Sequence, residues 1–383
     1  MPQNQPISRL ATAMATLALA FAPTLLHADS LGFTQTNLVS DIPGKAANTD
    51  PNLKNPWGVS FSATSPFWTS DQGTGLATLY NNAGVPQGLV VTVPGSAAPP
   101  TGPTGQVFSN ISGQFLVGSA PATFIFDNLN GSISGWNAGA GTTAVVEHTT
   151  AGAIYTGLAQ ASNNTGTFLY AANSAPGGGI NVFASNWQPA SLSGSFTDTN
   201  LPAGLVPFNI QNIGGNLYVT YAALGPGGTP MPGGVVDEFD ANGNFLKRIA
   251  ANGSGGPLFA PWGIVVAPSS FGAFSNDLLI GNFGNGEINA FDATTDLFLG
   301  TLDGADGQPL INDHLWALET RAPGSGFDPN GVFFSAGIND EADGLFGEIT
   351  ANTPEPATIF GTAFGLAALA LSQVRRRLQS RTV

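Results

Sequence analysis

The chain has 383 residues and no cysteine, and its 24 acidic and ten basic residues give a formal net charge of −14 at pH 7. The missing cysteine excludes disulfides, catalytic thiols and cysteine-ligated zinc. The negative charge excludes a nucleic-acid-binding surface, because contact with phosphates requires basic patches. Charged residues make up only 9% of the chain, while glycine reaches 51 residues. This composition predicts short strands joined by tight turns rather than helices.

The first 28 residues (1–28) have the layout of a secretory signal peptide. Arg9 precedes an apolar run from Leu10 to Leu26, and the small residue Ala28 ends the segment. A short basic region, an apolar stretch and a small residue at the cut are the features of a cleaved export signal. We therefore predict that this segment is removed from an exported protein. The alternative is a first transmembrane helix.

The body, which we place at residues 29–350, carries a weak repeat of four short strands. One further unit fits 115–150, although its first strand is poorly defined there. Four short strands at such a period are typical of a β-propeller blade. We therefore predict an all-β, six-bladed β-propeller; a pair of glycine-rich β-sandwiches and a β-solenoid are the alternatives. Each clear unit opens on a buried strand with an aromatic and a small residue: Pro56 to Val59, Tyr155 to Leu158, Pro207 to Ile210, Pro261 to Ile264 and Leu315 to Leu318.

The two ends of the body are predicted to close the ring together. The last unit lacks an outer strand after Glu348, and we expect the segment from Phe33 to Val39 to supply it. Closure removes exposed sheet edges, which favours solubility outside the cell. A strand that ends in Phe-Asp before an Asn-Gly turn, as at Phe239 to Gly243, resembles NHL-type six-bladed propellers. That resemblance implies the same fold.

One acidic loop is the best candidate for a metal site. Asn339, Asp340, Glu341 and Asp343 place oxygen atoms close together along the chain, and oxygen ligands suit calcium. Thr350 stands where an EF-hand loop would have its closing Glu, so the EF-hand pattern breaks. The loop predicts a calcium site, and calcium is the one cofactor expected. The alternative is an acidic surface hairpin.

Three further polar residues are predicted to lie at the mouth of the propeller channel. Asp71, Asn173 and Asn282 each follow the second strand of a unit. Some six-bladed propellers that resemble gluconolactonases hold a metal there, although no matching Glu-Asn-Asp set is evident. The body has two histidines, His148 and His314, and no serine elbow, so we predict no catalytic residues. A binding or structural role is expected, and a metal-dependent, lactonase-like hydrolase is the alternative.

The tail at residues 351–383 combines three features in order. A Pro-Glu-Pro box (Pro354, Glu355 and Pro356) precedes an uncharged run that reaches Val374. The run is close to the minimum of about 17 residues that cross a bilayer. Basic clusters stay on the cytoplasmic side of a membrane. We therefore predict a single C-terminal transmembrane sorting helix; the alternative is a C-terminal core helix. The basic cluster that follows the run is Arg375, Arg376 and Arg377.

This order of features resembles the PEP-CTERM sorting signal of exported bacterial proteins. The whole layout resembles a family of uncharacterised exported PEP-CTERM proteins with an NHL-like propeller body. The resemblance implies that an exosortase cuts at Pro354, Glu355 and Pro356 after transient anchoring in the inner membrane. The expected partners are the exosortase, the secretion machinery, the membrane and an extracellular polysaccharide or protein. The expected location is the cell envelope, the cell surface or the extracellular space.

Overall fold

The structure is a computed structural model that describes residues 32–95, 101–253 and 255–352. The predicted signal peptide and the Pro-Glu-Pro tail, with its helix and Arg375 to Arg377, lie outside the described residues and remain predictions. Within the described ranges, no helix has the length and apolar character that a membrane span requires.

Six of the seven sheets in the described residues are the blades of a propeller. The chain enters through β1 (Phe33–Ser40) and β2 (Asn48–Thr49). Blade 1 contains β3 (Pro56–Ser60), β4 (Phe67–Asp71), β5 (Leu76–Tyr80) and β6 (Val91–Thr92). Blade 2 starts at β7 (Gln106–Phe108), passes a small hairpin of β8 (Leu116–Val117) and β9 (Ala120–Pro121), and continues with β10 (Phe124–Asp127), β11 (Ser132–Trp136) and β12 (Val145–Thr149).

The other four blades follow in chain order. Blade 3 contains β13 (Tyr155–Asn163), β14 (Gly166–Asn173) and β15 (Ile180–Ala184). Blade 4 contains β16 (Leu205–Ile213), β17 (Asn216–Ala223), β18 (Gly234–Phe239) and β19 (Phe245–Asn252). Blade 5 contains β20 (Pro261–Val266), β21 (Leu278–Asn282), β22 (Ile288–Phe291) and β23 (Phe298–Thr301). Blade 6 contains β24 (Leu315–Thr320), β25 (Val332–Ala336) and β26 (Leu345–Ala351).

The predicted six-bladed propeller and its closure are confirmed. The N-terminal strand β1 pairs antiparallel with β26, from Phe33 opposite Ala351 to Ser40 opposite Leu345. Blade 6 is therefore completed by the start of the chain, so the ring is joined by main-chain hydrogen bonds between its two ends. Three single-turn 3₁₀ helices lie in the described loops: Ala138–Ala140, Pro226–Gly228 and Gly272–Phe274.

The second blade begins earlier than predicted. Its inner strand β7 follows Pro103-Thr104-Gly105, which has the proline and glycine of the repeat but threonine in the aromatic position. The predicted start near 115 was wrong because the search relied on an aromatic residue. In blade 2, Thr104 takes the place of the aromatic residue, and its Oγ1 donates to Tyr155 O of the next blade at 2.8 Å.

Small residues let the six inner strands meet at the axis. A Cβ atom at Gly58 would lie 2.6 Å from Thr104 O, and one at Gly263 would lie 2.4 Å from Trp316 O. Contacts below 3.0 Å with backbone require a shift of the strand, so these positions accept only glycine without rearrangement. This constriction of the channel, which we call the waist, separates two mouths. The inner-strand residues at this level are Gly58, Gly105, Gly157, Asn209, Gly263 and Ala317.

Candidate functional site: a cavity at one mouth of the channel

A cavity of about 820 Å³ opens at the end of the channel where the inner strands begin. We call it the wide mouth. Its wall comes from the loops that enter the inner strands and from the loops that follow the second strands, and all six blades contribute to it. Its lining residues include Asn55, Trp57, Gln72, Leu129, Thr156, Ser174, Phe208, Phe283, Trp316 and Glu341.

The floor of the wide mouth is aromatic. Trp57 and Trp316 stack with their ring centroids 3.5 Å apart, and Phe208 and Phe283 lie 5.8 and 4.2 Å from Trp316. The repeat explains three of these rings, because the second residue of the inner-strand opening is Trp57 in blade 1, Phe208 in blade 4 and Trp316 in blade 6. Trp316 Nε1 donates to Asn55 Oδ1 at 2.9 Å. Trp57 Nε1 has no hydrogen-bond partner in the described part of the chain.

Polar side chains connect the floor to the rim. Asn55 Nδ2 donates to Gln72 Oε1 at 2.9 Å and to Glu341 Oε1 at 3.3 Å. Glu341 is half-buried, and burial raises the pKa of its carboxyl, while His314 and the Asn55 hydrogen bond oppose the rise. The wide mouth therefore has an apolar floor with amide and carboxyl groups above it, the usual composition of a small-molecule site.

A histidine–carboxylate group lies beside the rim. The potential ligand atoms of Asp313, His314 and Asp340 are all within 4.8 Å of one another. His314 Nδ1 lies 2.9 Å from Asp313 Oδ1, although the geometry does not satisfy a hydrogen bond. The His314 ring packs against Phe283, with centroids 4.7 Å apart. A histidine nitrogen with two carboxylates can hold a divalent cation.

Four of the twelve non-glycine residues with a positive φ in the described part of the chain lie in the same place. His314 has a φ of 48°, and Asn339, Asp340 and Glu341 have φ values of 56°, 53° and 64°. Non-glycine residues enter this left-handed region at an energetic cost, and such strain is often found at functional sites. The strained turn aims Glu341 at the wide mouth and Asp340 at His314.

The side chains of the predicted calcium loop contact several different partners. Asp340 joins the histidine–carboxylate group, and Glu341 accepts from Asn55. Asn339 Nδ2 donates to Asp343 Oδ2 at 2.8 Å, and Asp343 forms an ion pair with Lys54 at 3.2 Å. The four side chains therefore do not face one point, and the calcium site remains a prediction.

The side chains of the three predicted channel residues form hydrogen bonds within the protein and do not line the wide mouth. Asp71 accepts hydrogen bonds from Thr69 and Thr78 inside blade 1. Asn173 Oδ1 accepts from Ile154 N at 3.0 Å. Asn282 Oδ1 accepts from Phe259 N, also at 3.0 Å.

Instead, the cavity is lined by the residue that follows each of these three. Side chains alternate along a strand. Moving one position along the strand therefore changes a side chain that points into the blade for one that faces the cavity. The three lining residues are Gln72, Ser174 and Phe283. Sequence reasoning missed His314 and Asp313 as partners of Asp340, and the run of polar residues before Trp316 was the signal available.

Comparisons with known proteins identify relatives and a shared fold. No protein-family profile matches the chain. The uncharacterized protein R648 of Acanthamoeba polyphaga mimivirus is 32% identical over 331 residues, which cover 82% of this chain and 78% of that protein. The uncharacterized protein L690 of the same virus is 28% identical over 330 residues, with 82% and 84% covered.

Solved structures provide a likeness of fold alone. A streptogramin B lyase structure has a TM-score of 0.46 and 12% identity, with 84% of this chain and 99% of that chain covered. A glucose dehydrogenase has a TM-score of 0.47 and 14% identity, with 83% and 100% covered.

Proposed function

We propose that this chain, which belongs to the same family as the uncharacterized protein R648 of Acanthamoeba polyphaga mimivirus, is an exported propeller that binds a carbohydrate in its wide mouth. One observation carries the proposal: the stacked Trp57 and Trp316 form the floor of a cavity whose rim bears amide and carboxyl groups. Trp57 and Trp316 are 6% and 1% exposed and cover each other's faces, so only a small part of each ring meets the cavity. That part gives an apolar surface for the C–H groups of a sugar ring, and the rim groups suit its hydroxyls.

The size and chemistry of the cavity support a neutral, partly apolar ligand. A volume of about 820 Å³ falls within the range of typical small-molecule sites. Of the residues that line the wide mouth, Glu341 is the one that can carry a charge. A strongly charged ligand would therefore find little to pair with, whereas hydroxyl groups would find Gln72 and Glu341.

The exported location is the second part of the proposal. It rests on the signal-peptide layout of residues 1–28 and on the resemblance of the tail to PEP-CTERM signals. An exosortase-processed protein would be displayed in the envelope or the extracellular matrix, where polysaccharides are abundant. Cell fractionation of the native host, with antibodies against the body, tests this part; a cytoplasmic protein that retains its tail would overturn it.

Tryptophan fluorescence tests the binding site directly. The full chain is titrated with a panel of soluble oligosaccharides, and binding is expected to change the emission of the floor tryptophans. Gln72→Ala removes a rim amide and is expected to weaken binding about tenfold, the value of one hydrogen bond to a buried polar group. Gln87→Ala is the matched control, because Gln87 is also half-buried but does not line the cavity. The absence of saturable binding across the panel would overturn the proposal.

A metal-dependent, lactonase-like hydrolase is the second candidate. It is favoured by the group of Asp313, His314 and Asp340 next to Glu341, a carboxyl of raised pKa that faces the cavity and suits acid–base chemistry. The histidine nitrogen fits Zn²⁺ or Mn²⁺ better than the calcium expected from sequence. The test is metal analysis with lactone hydrolysis before and after chelation. Activity that survives chelation, or that persists in His314→Ala, would reject this candidate.

A further inference from the structure

The channel has a second mouth on the other side of the waist. A cavity of about 270 Å³ opens where the inner strands end, and we call it the narrow mouth. Its polar side chains come from blades 2, 3, 4 and 6. They are Gln106, Gln160, Gln211, Asn212 and Glu319, with Ser60 at the edge.

Gln106 presents a fixed acceptor in this cavity. Its Nε2 donates to Gly58 O at 2.8 Å and to Trp68 O at 2.6 Å. Both partners are carbonyl oxygens, so the amide cannot be reversed without placing oxygen against oxygen. The side chain is only 5% exposed, and its Oε1 has no hydrogen-bond partner in the described part of the chain. A buried acceptor without a partner is costly, which indicates that a donor from outside the chain satisfies it.

Two more acceptors line the same cavity. Gln160 Oε1 is also buried without a partner in the described residues. Glu319 Oε1 accepts from Gln211 Nε2 at 3.2 Å. Burial raises the pKa of the Glu319 carboxyl to about 8. The narrow mouth therefore offers an excess of oxygen atoms, one of which belongs to a carboxyl.

The nearby arginine does not satisfy these oxygens. The Arg321 guanidinium lies between the rings of Phe61 and Phe327, 4.0 and 3.8 Å from their centroids. Its Nη2 donates to Ser65 O at 3.0 Å. Glu319 forms no ion pair among the described residues, so a cation that enters the cavity can pair with it.

We propose that the narrow mouth binds the ammonium group of a small primary amine. An ammonium carries three N–H donors, which match Gln106 Oε1, Gln160 Oε1 and the Glu319 carboxylate. Phe61, Phe108 and Leu158 also line the cavity and provide apolar surface for an alkyl chain. A sugar fits less well, because it has no charge to pair with the Glu319 carboxylate. A bare metal ion would leave most of the volume and the apolar walls unused.

Calorimetry with the full chain and n-butylammonium chloride tests the proposal. Saturable binding is expected at pH 7, with the release of close to one proton, because the cation favours the ionised Glu319. Glu319→Gln keeps the shape and removes the charge, and is expected to weaken binding at least about tenfold. Glu287→Gln is the matched control, since Glu287 lies in the turn between β21 and β22 and does not line the narrow mouth.

Two further measurements keep the result interpretable. Gln160→Leu removes a second acceptor whose side chain holds no other element in place, and it is expected to weaken binding several-fold even if Glu319→Gln fails to fold. Calcium chloride and potassium chloride are titrated in parallel. Preferential binding of either metal ion, no saturable binding of the amine, or equal binding by Glu319→Gln and the unmodified chain would each overturn the proposal.

Discussion

The two mouths of the channel share six inner strands but differ in chemistry. At the wide mouth, where the strands begin, Trp57, Phe208 and Trp316 form an aromatic floor. At the narrow mouth, where the strands end, Gln106 and Glu319 supply oxygen atoms. Along an inner strand, a residue of the wide mouth lies only two or three positions before a residue of the narrow mouth. One ring of strands can therefore support two independent sites, provided that the waist between them keeps its form.

The largest expected effect comes from closing the waist. Gly263→Ala places a Cβ atom 2.4 Å from Trp316 O, so the inner strands of blades 5 and 6 must separate. We expect a loss of about 3 kcal/mol in the free energy of unfolding, measured with urea. Gly179→Ala is the matched control, because nothing lies within 4 Å of its added Cβ. Equal stability of the two variants would show that the inner strands have room for a methyl group at the waist.

The second prediction compares the carboxyl groups of the two mouths. The pKa of Glu319 is raised to about 8 by burial, above the 4.5 of an exposed glutamate, so the folded state prefers the protonated form. The penalty for ionisation is absent below about pH 4.5 and grows until pH passes 8. Glu319→Gln is therefore expected to be more stable than the unmodified chain at pH 9, by about 2 kcal/mol. This value is smaller than the full pKa shift would give, because the carboxyl is partly exposed to solvent.

Thermal melts from pH 5 to pH 9 measure this difference. The gap between Glu319→Gln and the unmodified chain should be close to zero at pH 5 and should widen as pH rises. Glu341→Gln at the wide mouth should show a smaller gap, because His314 and Asn55 oppose the rise in the pKa of Glu341. A gap that is constant with pH would show that Glu319 is not the group that titrates.

Much of the fold could be predicted from local sequence signals, whereas the sites could not. The blades repeat a short aromatic–small pattern that can be read within one segment, and the outer strand missing from the last unit indicated that the segment at Phe33 closes the ring. The start of blade 2 was missed because Thr104 replaces the aromatic residue and forms a hydrogen bond to the next blade. The sorting tail remains a prediction, since it lies outside the described residues.

The sites depend on contacts between distant segments. The narrow mouth brings Gln106 together with Glu319, and nothing in either segment indicates the other. At the wide mouth, the register shift between Pro56 and Val59 in blade 1 shows how local irregularities near the strand ends alter side-chain direction. Such bulges depend on packing between blades. At the end of β4, ordinary alternation buries Asp71 in the blade and turns its neighbour Gln72 to the cavity.

A third prediction examines the aromatic floor. Trp57→Phe keeps an apolar ring but removes most of the stack on Trp316 and the free indole N–H. We expect a loss of about 1 kcal/mol in unfolding free energy, the value of a favourable aromatic pair, together with weaker saccharide binding. Trp187→Phe is the control, because Trp187 is equally buried but packs against Phe115 away from the wide mouth. Equal saccharide affinity in both variants would remove Trp57 from the site.

The smallest expected effect concerns the rim of the wide mouth. Lys54 pairs with Asp41 and Asp343 and so tethers the strained turn that carries Asp340 and Glu341. Lys54→Met should cost about 0.5 kcal/mol of stability, because the ammonium is partly exposed and screened by salt. Saccharide binding at the wide mouth should nevertheless weaken, since Glu341 loses its fixed position, while amine binding at the narrow mouth should be unchanged. Paired titrations of both ligands on this one variant separate the two mouths, and a parallel loss at both would mean that they are coupled through the waist.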